Sequence, residues 1–534
     1  MAFNRILIAN RGEIAIRLAR AIADCEATSV AVYAEDDAQS LHVRSADQAI
    51  ALQGQGVAAY LDAAQLIRIA KEQNCDAIHP GYGFLSENAD FARACEQAGI
   101  TFIGPAPEVL DTFGDKASAR RLALQQGVPL TQGTNEPTTL EQARDFMQSL
   151  GDGAAVMLKA LAGGGGRGMR AVHDLAELDD AFARCSSEAT AAFGRGDLYV
   201  ERLIRRARHI EVQIIGDGSE VAHVWERDCT LQRRNQKLLE VAPAPSLDPA
   251  VRKQLHEAAC TLTRAVGYRG LCTVEFLLDE ERGDFVFMEA NPRIQVEHTV
   301  TEAVTGLDLA ATQIQLAAGK TLAELGLTQP DIPAARGFAV QLRINLESMA
   351  ADGSTRPAGG TLSAYQPPSG PGIRVDGYGY AGYTTSPRYD SLLAKLIVHA
   401  NGDYPNTLRR AYRALCEFRL EGAASNLHLL QNLLQHPQVQ SNDVSTAFIE
   451  AEAASLTAAH ASAHPHRFFQ SDTSSAAASS TQTDAPAGTE PLNAPVQGVL
   501  VSLDVQVGDS VAVGQQVAIM EAMKMEFVVK ATQS

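Results

Sequence analysis

Residues 272–298 read CTVEFLLDEERGDFVFMEANPRIQVEH. Two β-like runs, CTVEFLL and FVFMEAN, flank the turn DEERGD, so the stretch predicts an antiparallel hairpin. Side chains alternate across a strand, which gives Phe276, Leu278, Phe285 and Phe287 an apolar face and sets Glu275 and Glu289 on the other. Asn291 shares the face of Glu289 by the two-residue period, and the uneven offset about the turn calls for a bulge. Two carboxylates and an amide oxygen are hard ligands suited to a Mg²⁺ that also holds nucleotide phosphates. A pair of solvated acids on an exposed hairpin has the same pattern, and the hairpin alone does not decide between them. Downstream, Arg293, Gln295 and Glu297 alternate, so an extended segment aims all three one way. Together they could bind a small oxyanion and take its proton, although such alternation is commoner on solvent-facing edges.

Working outward, residues 205 to about 330 are strand-rich (HIEVQIIG, EVAHVWE), and 336–450 add AVQLRIN, LLAKLIVHA and a closing helix, NTLRRAYRALCEF. Residues 131–204 form a small α+β unit in which Gly163-Gly164-Gly165-Gly166-Arg167-Gly168 lies between two strands. The run is neither a Walker A loop nor a Rossmann fingerprint, since no Gly-Lys-Ser/Thr follows and no helix opens after it. Bare N–H groups at a glycine tip can fold over phosphates, with Lys159 in reach as a point charge. Taken alone, a glycine run is more often a flexible turn. Residues 1 to about 130 alternate six-residue apolar runs with helical patterns, which implies a parallel sheet, with Gly12 where the first strand meets the first helix. The segment 228–237, DCTLQRRNQK, is dense in cations and amides within an acidic chain.

A break follows at 454–491, rich in Ala, Ser, Thr and Pro with little to bury, which reads as a linker. Folded β alternation then restarts with Gly at its turns. It contains Glu521-Ala522-Met523-Lys524-Met525-Glu526, a lysine at a tight turn between two methionines. That placement is odd for a core and wasteful for a surface, and it suits recognition by a modifying enzyme.

A length of 534 residues predicts three to four folding units, and 46% apolar with 20% charged residues excludes disorder, collagen or coiled coil for the whole chain. The net charge of −18 disfavours nucleic acid and anionic membranes, so phosphate must be held by a local basic pocket. Eight cysteines without a CxxC pair read as free thiols in a reducing compartment. No run approaches a membrane span, and the N-terminus has the wrong flanks for a signal peptide. The expectation is a soluble cytoplasmic protein.

Together IANRGEIAIR, HPGYGFLSEN (79–88), FGDK (113–116), KALAGGGGRGM (159–169), ERDCTLQRRNQK (226–237), EANPRIQVEHTVTE (289–302) and EAMKME (521–526) resemble the biotin-dependent carboxylases. The resemblance spans about 1–450 as a biotin carboxylase and 493–534 as a biotinyl carrier. It implies an α/β and α+β ATP-grasp fold with a Rossmann-like N-terminal domain (1–115), an ATP-grasp domain (116–330, lid about 131–204) and a β-rich C-terminal domain (331–452). A linker (453–492) and a partial all-β, lipoyl-like biotinyl domain (493–534) follow. By motif, Lys116, Lys159, Glu201 and His209 look like nucleotide contacts, and Gly163, Gly164, Gly165 and Gly166 resemble the phosphate lid. Gln232 and Asn235 fall in the same cofactor-binding set, Asn235 standing where many members have His. Glu275, Glu289 and Asn291 match the Mg²⁺ (or Mn²⁺) ligands, and Lys237, Arg293, Gln295 and Val296 match the bicarbonate pocket. Glu297 corresponds to the base that deprotonates bicarbonate, Arg343 to the arginine that steadies the biotin enolate, and Lys524 to the biotinylated lysine.

Pro292 replaces the Thr often found there. The carrier half after Lys524 is short, which is read as a fragment of a longer polypeptide. The resemblance implies ATP, Mg²⁺ and covalent biotin as cofactors. Its implied partners are bicarbonate, a carboxyltransferase subunit or domain, a biotin-protein ligase and a second copy of the carboxylase body. The linker is too short for the extra domain that propionyl- and methylcrotonyl-type α subunits carry between the two modules, which favours a compact carboxylase–carrier subunit or the front of a multidomain acyl-CoA (acetyl/propionyl-CoA type) carboxylase. A pyruvate or urea carboxylase fragment and a non-catalytic carrier scaffold are the alternatives.

Overall fold

The computed structural model describes residues 2–134, 136–151, 153–161, 168–234, 236–458, 489, 491–522 and 525–533. The chain enters through Arg5–Ile8, whose three apolar residues Ile6, Leu7 and Ile8 are fully buried. This strand is central in a five-stranded parallel sheet, between Thr28–Tyr33 and Ala77–His79, with Gln48–Ala51 and Thr101–Phe102 at the edges. It feeds helix Gly12–Asp24, buried at every position from Gly12 to Ala19. A helix buried on that many sides is wedged between two layers. Ile14, Leu18 and Ile22 share one core with Ile215, Leu271 and Ile314 of the next unit.

That unit is built on one eight-stranded antiparallel sheet. Its order is Asp284–Asn291, Arg269–Asp279, Ala207–Asp217, Val221–Arg233, Gln236–Ala242, Phe338–Asn345, Leu392–Ala400 and Ile373–Gly377. The two strand-rich stretches of sequence are therefore one sheet, joined where Leu239 pairs with Leu342 and Glu240 with Gln341. Helix Pro249–Ala265, missed by the strand-rich reading, packs Leu255, Ala259 and Leu262 under this sheet. Its start is written locally, because Asp248 accepts from Ala250 N at 2.7 Å and Pro249 takes the first helical position.

The smaller α+β unit holds the strands Met169–Val172, Val156–Ala160 and Leu198–Arg202 as one antiparallel sheet against helices Leu140–Ser149 and Leu178–Phe193. Gly163, Gly164, Gly165 and Gly166 fall outside the described residues, as do Asn235 and Lys524. At the C-terminal end, Val499–Leu503, Gln516–Ala522 and Met525–Lys530 form a three-stranded sheet in which Ala522 pairs with Met525. All eight cysteines are free, and seven are buried. No described helix is long and apolar enough to cross a membrane.

The N-terminal sheet carries a pH liability at His42. The ring lies 3.1 Å from the Val32 carbonyl through Nε2 and 2.8 Å from Ser40 Oγ through Nδ1. Burial pushes its pKa down from 6.5 to about 4, against the pull of Asp37. The unfolded chain then binds a proton that the folded chain refuses, so this contribution to stability is lost as pH falls from 6.5 towards 4. Between pH 7.5 and pH 5, wild type should lose about 2 kcal/mol more stability than His42→Gln. Urea midpoints at the two pH values check this, and equal losses in both proteins would refute it.

Candidate active site

Lys237 lies at the centre of a buried charge cluster. Its strand, Gln236–Ala242, lies between Val221–Arg233 and Phe338–Asn345, and its Nζ is 2.6 Å from Glu211 Oε2, 3.0 Å from Glu275 Oε1 and 2.6 Å from Glu297 Oε1. Glu211 and Glu275 are direct cross-strand partners, which explains how one ammonium reaches both. Burial alone would lower the Lys237 pKa, but the three carboxylates hold it well above the usual lysine value. Lys237 is a fixed cation.

Glu297 has a second cation on its other oxygen. Arg343 donates from Nη2 to Glu297 Oε2 at 3.0 Å and from Nε to Glu240 Oε1 at 2.5 Å. Burial would raise the pKa of Glu297, yet Lys237, Arg343 and Arg227 together pull it below the usual carboxylate range. Arg227 is fully buried beneath the cluster, ion-paired to Glu211 and hydrogen-bonded to Gln213, Thr301, Thr273 and Gln295. Gln295 in turn donates to Glu275 Oε1 at 2.8 Å. Gln295 and Glu297 thus both reach the cluster, although the segment bends at Arg293 and turns at Val296 and Glu297 instead of running extended.

The hairpin pairs Glu275 with Glu289, and a register shift between Glu275 and Phe276 supplies the bulge that the uneven offset required. The two acids titrate apart. Burial works against ionisation in both, but Lys237 and His209 carry Glu275 well below the ordinary range. Burial and then the charge on Glu275 push Glu289 up. Among the described residues Glu289 forms no ion pair. His209 Nε2, Glu211 and Glu275 also place ligand atoms within 4.8 Å of one another. Among the described residues, five carboxylates (Glu211, Glu240, Glu275, Glu289 and Glu297) meet three full cations in ion pairs (Lys237, Arg227 and Arg343), with Arg293 nearby but paired to Glu87. A divalent cation beside Glu289 and Glu275 would remove that imbalance, so the donor set fits a hard metal.

Three expected residues sit differently. Asn291 donates its amide to Glu275 Oε1 at 2.9 Å and turns its oxygen to Arg293 at 3.1 Å, so in this arrangement it offers no oxygen beside Glu275. Arg293 reaches across to Glu87 Oε1 at 2.6 Å, with no hydrogen bond to Glu297. Lys116 is exposed at the start of helix Lys116–Gln125, although its charge still lowers the pKa of Glu289. Gln232 is buried opposite Lys237 in the strand pairing. In the smaller unit Lys159 pairs with Glu201, whose other oxygen is 2.6 Å from Arg120 Nη1. Arg120 was not anticipated, although it lies one helical turn beyond Lys116. Glu211 and Glu240 were also missed. Glu211 carries a signal that could have found it, because His209, Glu211 and Gln213 repeat the polar alternation seen at 293–297.

Residues 2–110 match the biotin carboxylase N-terminal domain, 115–325 the ATP-binding domain of the carbamoyl-phosphate synthase L chain, and 341–451 the biotin carboxylase C-terminal domain. Residues 490–534 match the biotin-requiring enzyme family. A solved biotin carboxylase domain of a single-chain bacterial carboxylase is 52% identical with a TM-score of 0.76, covering 85% of this chain and 98% of that one. The chain belongs to the biotin carboxylase family. It is an ATP-dependent ligase. The biotin carboxylase domain of Hydrogenobacter thermophilus 2-oxoglutarate carboxylase, a dimer bound to MgADP and bicarbonate, is 39% identical with a TM-score of 0.78 and covers 86% of this chain and all of that one. A single-chain, multi-domain long-chain acyl-CoA carboxylase is 41% identical with a TM-score of 0.75, covering 99% of this chain and 48% of that one. Among curated relatives, pyruvate carboxylase 1 of Caenorhabditis elegans is 47% identical and human mitochondrial pyruvate carboxylase 46%, each over 84% of this chain. The chain spans 38% of the length of those relatives.

The charge cluster makes a stability prediction. Arg227→Met leaves Glu211 with one cation and strips a donor from Gln213, Thr273, Thr301 and Gln295, so it should cost about 3–5 kcal/mol. Equilibrium unfolding in urea measures the loss. A cost below about 1 kcal/mol would show that the buried charges do not depend on one another.

Proposed function

We propose that this chain carboxylates biotin on a carrier lysine, Lys524, at the expense of ATP and bicarbonate. The observation that carries the reading is Glu297 held between Lys237 and Arg343, beside the facing pair Glu275 and Glu289. Bicarbonate is an anion and a poor nucleophile until its proton is removed. Lys237 and Arg343 supply the positive charge that would draw it in, with Arg293, Gln295 and Val296 forming the rest of the pocket. Glu297, already ionised, takes its proton. The freed oxygen attacks the γ-phosphorus of ATP, and ADP leaves. Lys116 and Lys159, with Glu201 and His209, are the proposed nucleotide contacts, and Gln232 is proposed to join them in binding the cofactor. Glu275 and Glu289 would hold Mg²⁺ or Mn²⁺, with Asn291 joining after its amide turns over. The metal supplies positive charge against the phosphates. The carboxyphosphate so formed breaks down to CO₂ and inorganic phosphate, which takes the ring N–H proton; biotin would supply the ring nitrogen that accepts the CO₂, with Arg343 placed to steady it.

The acceptor of the second half-reaction is best read as a 2-oxo acid of the pyruvate type, since the curated relatives are pyruvate carboxylases. This favours the alternative over the acyl-CoA reading drawn from the short linker. One observation supports the acyl-CoA reading: the match to the long-chain acyl-CoA carboxylase covers 99% of this chain, so it runs through the carrier segment. A carboxyltransferase, a biotin-protein ligase and a second carboxylase body are the proposed partners. The free cysteines fit a reducing compartment, which we take to be the cytoplasm.

ADP release by the purified chain with Mg²⁺ should require bicarbonate and rise with free biotin. Glu297→Gln should lower the bicarbonate-dependent rate by about 10²–10⁴-fold while leaving ATP binding intact. ATP hydrolysis indifferent to bicarbonate, or to Glu297→Gln, would overturn the proposal. For the acceptor, labelled bicarbonate should enter acid-stable product when pyruvate is added to the polypeptide immunoprecipitated from its host. Fixation with an acyl-CoA instead would decide for the other reading.

A further inference from the structure

Lys395 is the one fully buried lysine outside the Lys237 cluster among the described residues, and nothing in the proposed chemistry uses it. It belongs to strand Leu392–Ala400, directly opposite Arg343 on the neighbouring strand. Cross-strand partners share a face, so the two cations stand side by side. They grip the same short segment at two levels. Arg343 holds the side chain of Glu297, and Lys395 donates from Nζ to the carbonyl of Val296 at 3.0 Å. The Val296 carbonyl belongs to the peptide whose nitrogen is that of Glu297, so fixing this oxygen fixes the plane from which the Glu297 side chain springs. The ammonium is oriented from the far side by Glu13 Oε2, 3.0 Å away and equally buried. Glu13 comes from the first helix, and its other oxygen accepts from Tyr82 of the N-terminal unit. Asp376 and His298 are the other titratable groups that feel Lys395.

We propose that Lys395, held by Glu13, is a positioning residue for the bicarbonate segment, and that through it the N-terminal unit sets the placement of Glu297. The proposal rests on the bicarbonate reading of residues 293–297. A buried ammonium needs partners for its three donors whatever its role, so it is the choice of acceptor, the carbonyl next to Glu297, that points to positioning. ATP is met by other elements, so the effect belongs to bicarbonate.

The test separates the ion pair from the carbonyl contact. Lys395→Met leaves Glu13 buried without its cation and should both destabilise the protein and raise the KM for bicarbonate. Lys395→Met with Glu13→Gln removes both charges, so stability should return. Val296 would still lack its donor, so the KM for bicarbonate should remain raised about tenfold or more, with the KM for ATP within twofold of wild type. Glu13→Gln alone keeps the donor and should shift the KM for bicarbonate less than the double variant. Chemical denaturation and bicarbonate-dependent ADP release on the full chain give both readouts. If the double variant recovers both stability and a wild-type KM for bicarbonate, Lys395 is structural and the proposal fails. If wild type itself shows no bicarbonate dependence, the functional reading fails first, and the two failures are distinguishable.

Discussion

One ammonium among three carboxylates is the constraint on which the site depends. Lys237 reaches Glu211, Glu275 and Glu297 at 2.6–3.0 Å, and these acids come from two strands of the large sheet and the segment after its edge hairpin. Three acids so close repel one another unless a cation stays in place, and a buried cation is stable only while the acids stay ionised. Each group therefore enforces the charge of the others. The geometry costs regular pairing, because the strand beside Lys237 carries register shifts between Asp228 and Leu231 and between Leu231 and Gln232. Such irregularities re-aim side chains at the expense of ladder bonds, and their clustering here accords with a site and not merely a scaffold.

The N-terminal unit is tied to this cluster through its first helix. Asn10 donates to the carbonyls of Pro80 and Tyr82, Glu13 meets Lys395, and Arg17 pairs with Glu302 and Asp308. Arg11 pairs with buried Asp37 and lies 3.9 Å over the Tyr389 ring, which comes from the segment between strands Ile373–Gly377 and Leu392–Ala400. Glu13 and Arg17 of the helix thus reach neighbours outside the N-terminal unit, while Asn10 and Arg11, which precede the helix, also bind Pro80, Tyr82 and Asp37 inside it.

What could be read in advance follows the range of the interaction. The hairpin of Glu275 and Glu289, its apolar reverse side and even its bulge were legible, because a strand period and a turn lie within about 20 residues. Of the alternating Arg293, Gln295 and Glu297, the last two meet at the cluster, but Arg293 turns to Glu87 because the segment bends there instead of staying extended. Glu211 and Glu240 were not, since their roles depend on which strands become neighbours, and sheet order is not written in any one segment. The continuation of the large sheet past residue 330 was hidden by the helices between its strands. Asn291 shows a finer limit. Its face was read correctly, but the direction of its amide is set by Arg293, which is itself drawn away by Glu87.

Glu297 poses an apparent contradiction, since a carboxylate held far below its ordinary pKa is a weak base. The same contacts resolve it. Its depressed pKa is produced by Lys237, Arg343 and Arg227, and the first two are the cations an incoming anion would attract. As bicarbonate takes a share of their donors, Glu297 loses stabilisation of its charged form while burial, which opposes ionisation, stays. On the proposed bicarbonate reading, basicity would rise when substrate is present and be suppressed when it is absent, so that the unladen site would keep its acid ionised and the loaded site would make it a competent acceptor. On the same reading the ion pairs around Glu297 would be partly given up when the anion enters, whereas the hydrogen bond of Lys395 to the Val296 carbonyl lies on the backbone beneath Glu297 and would not be exchanged with them.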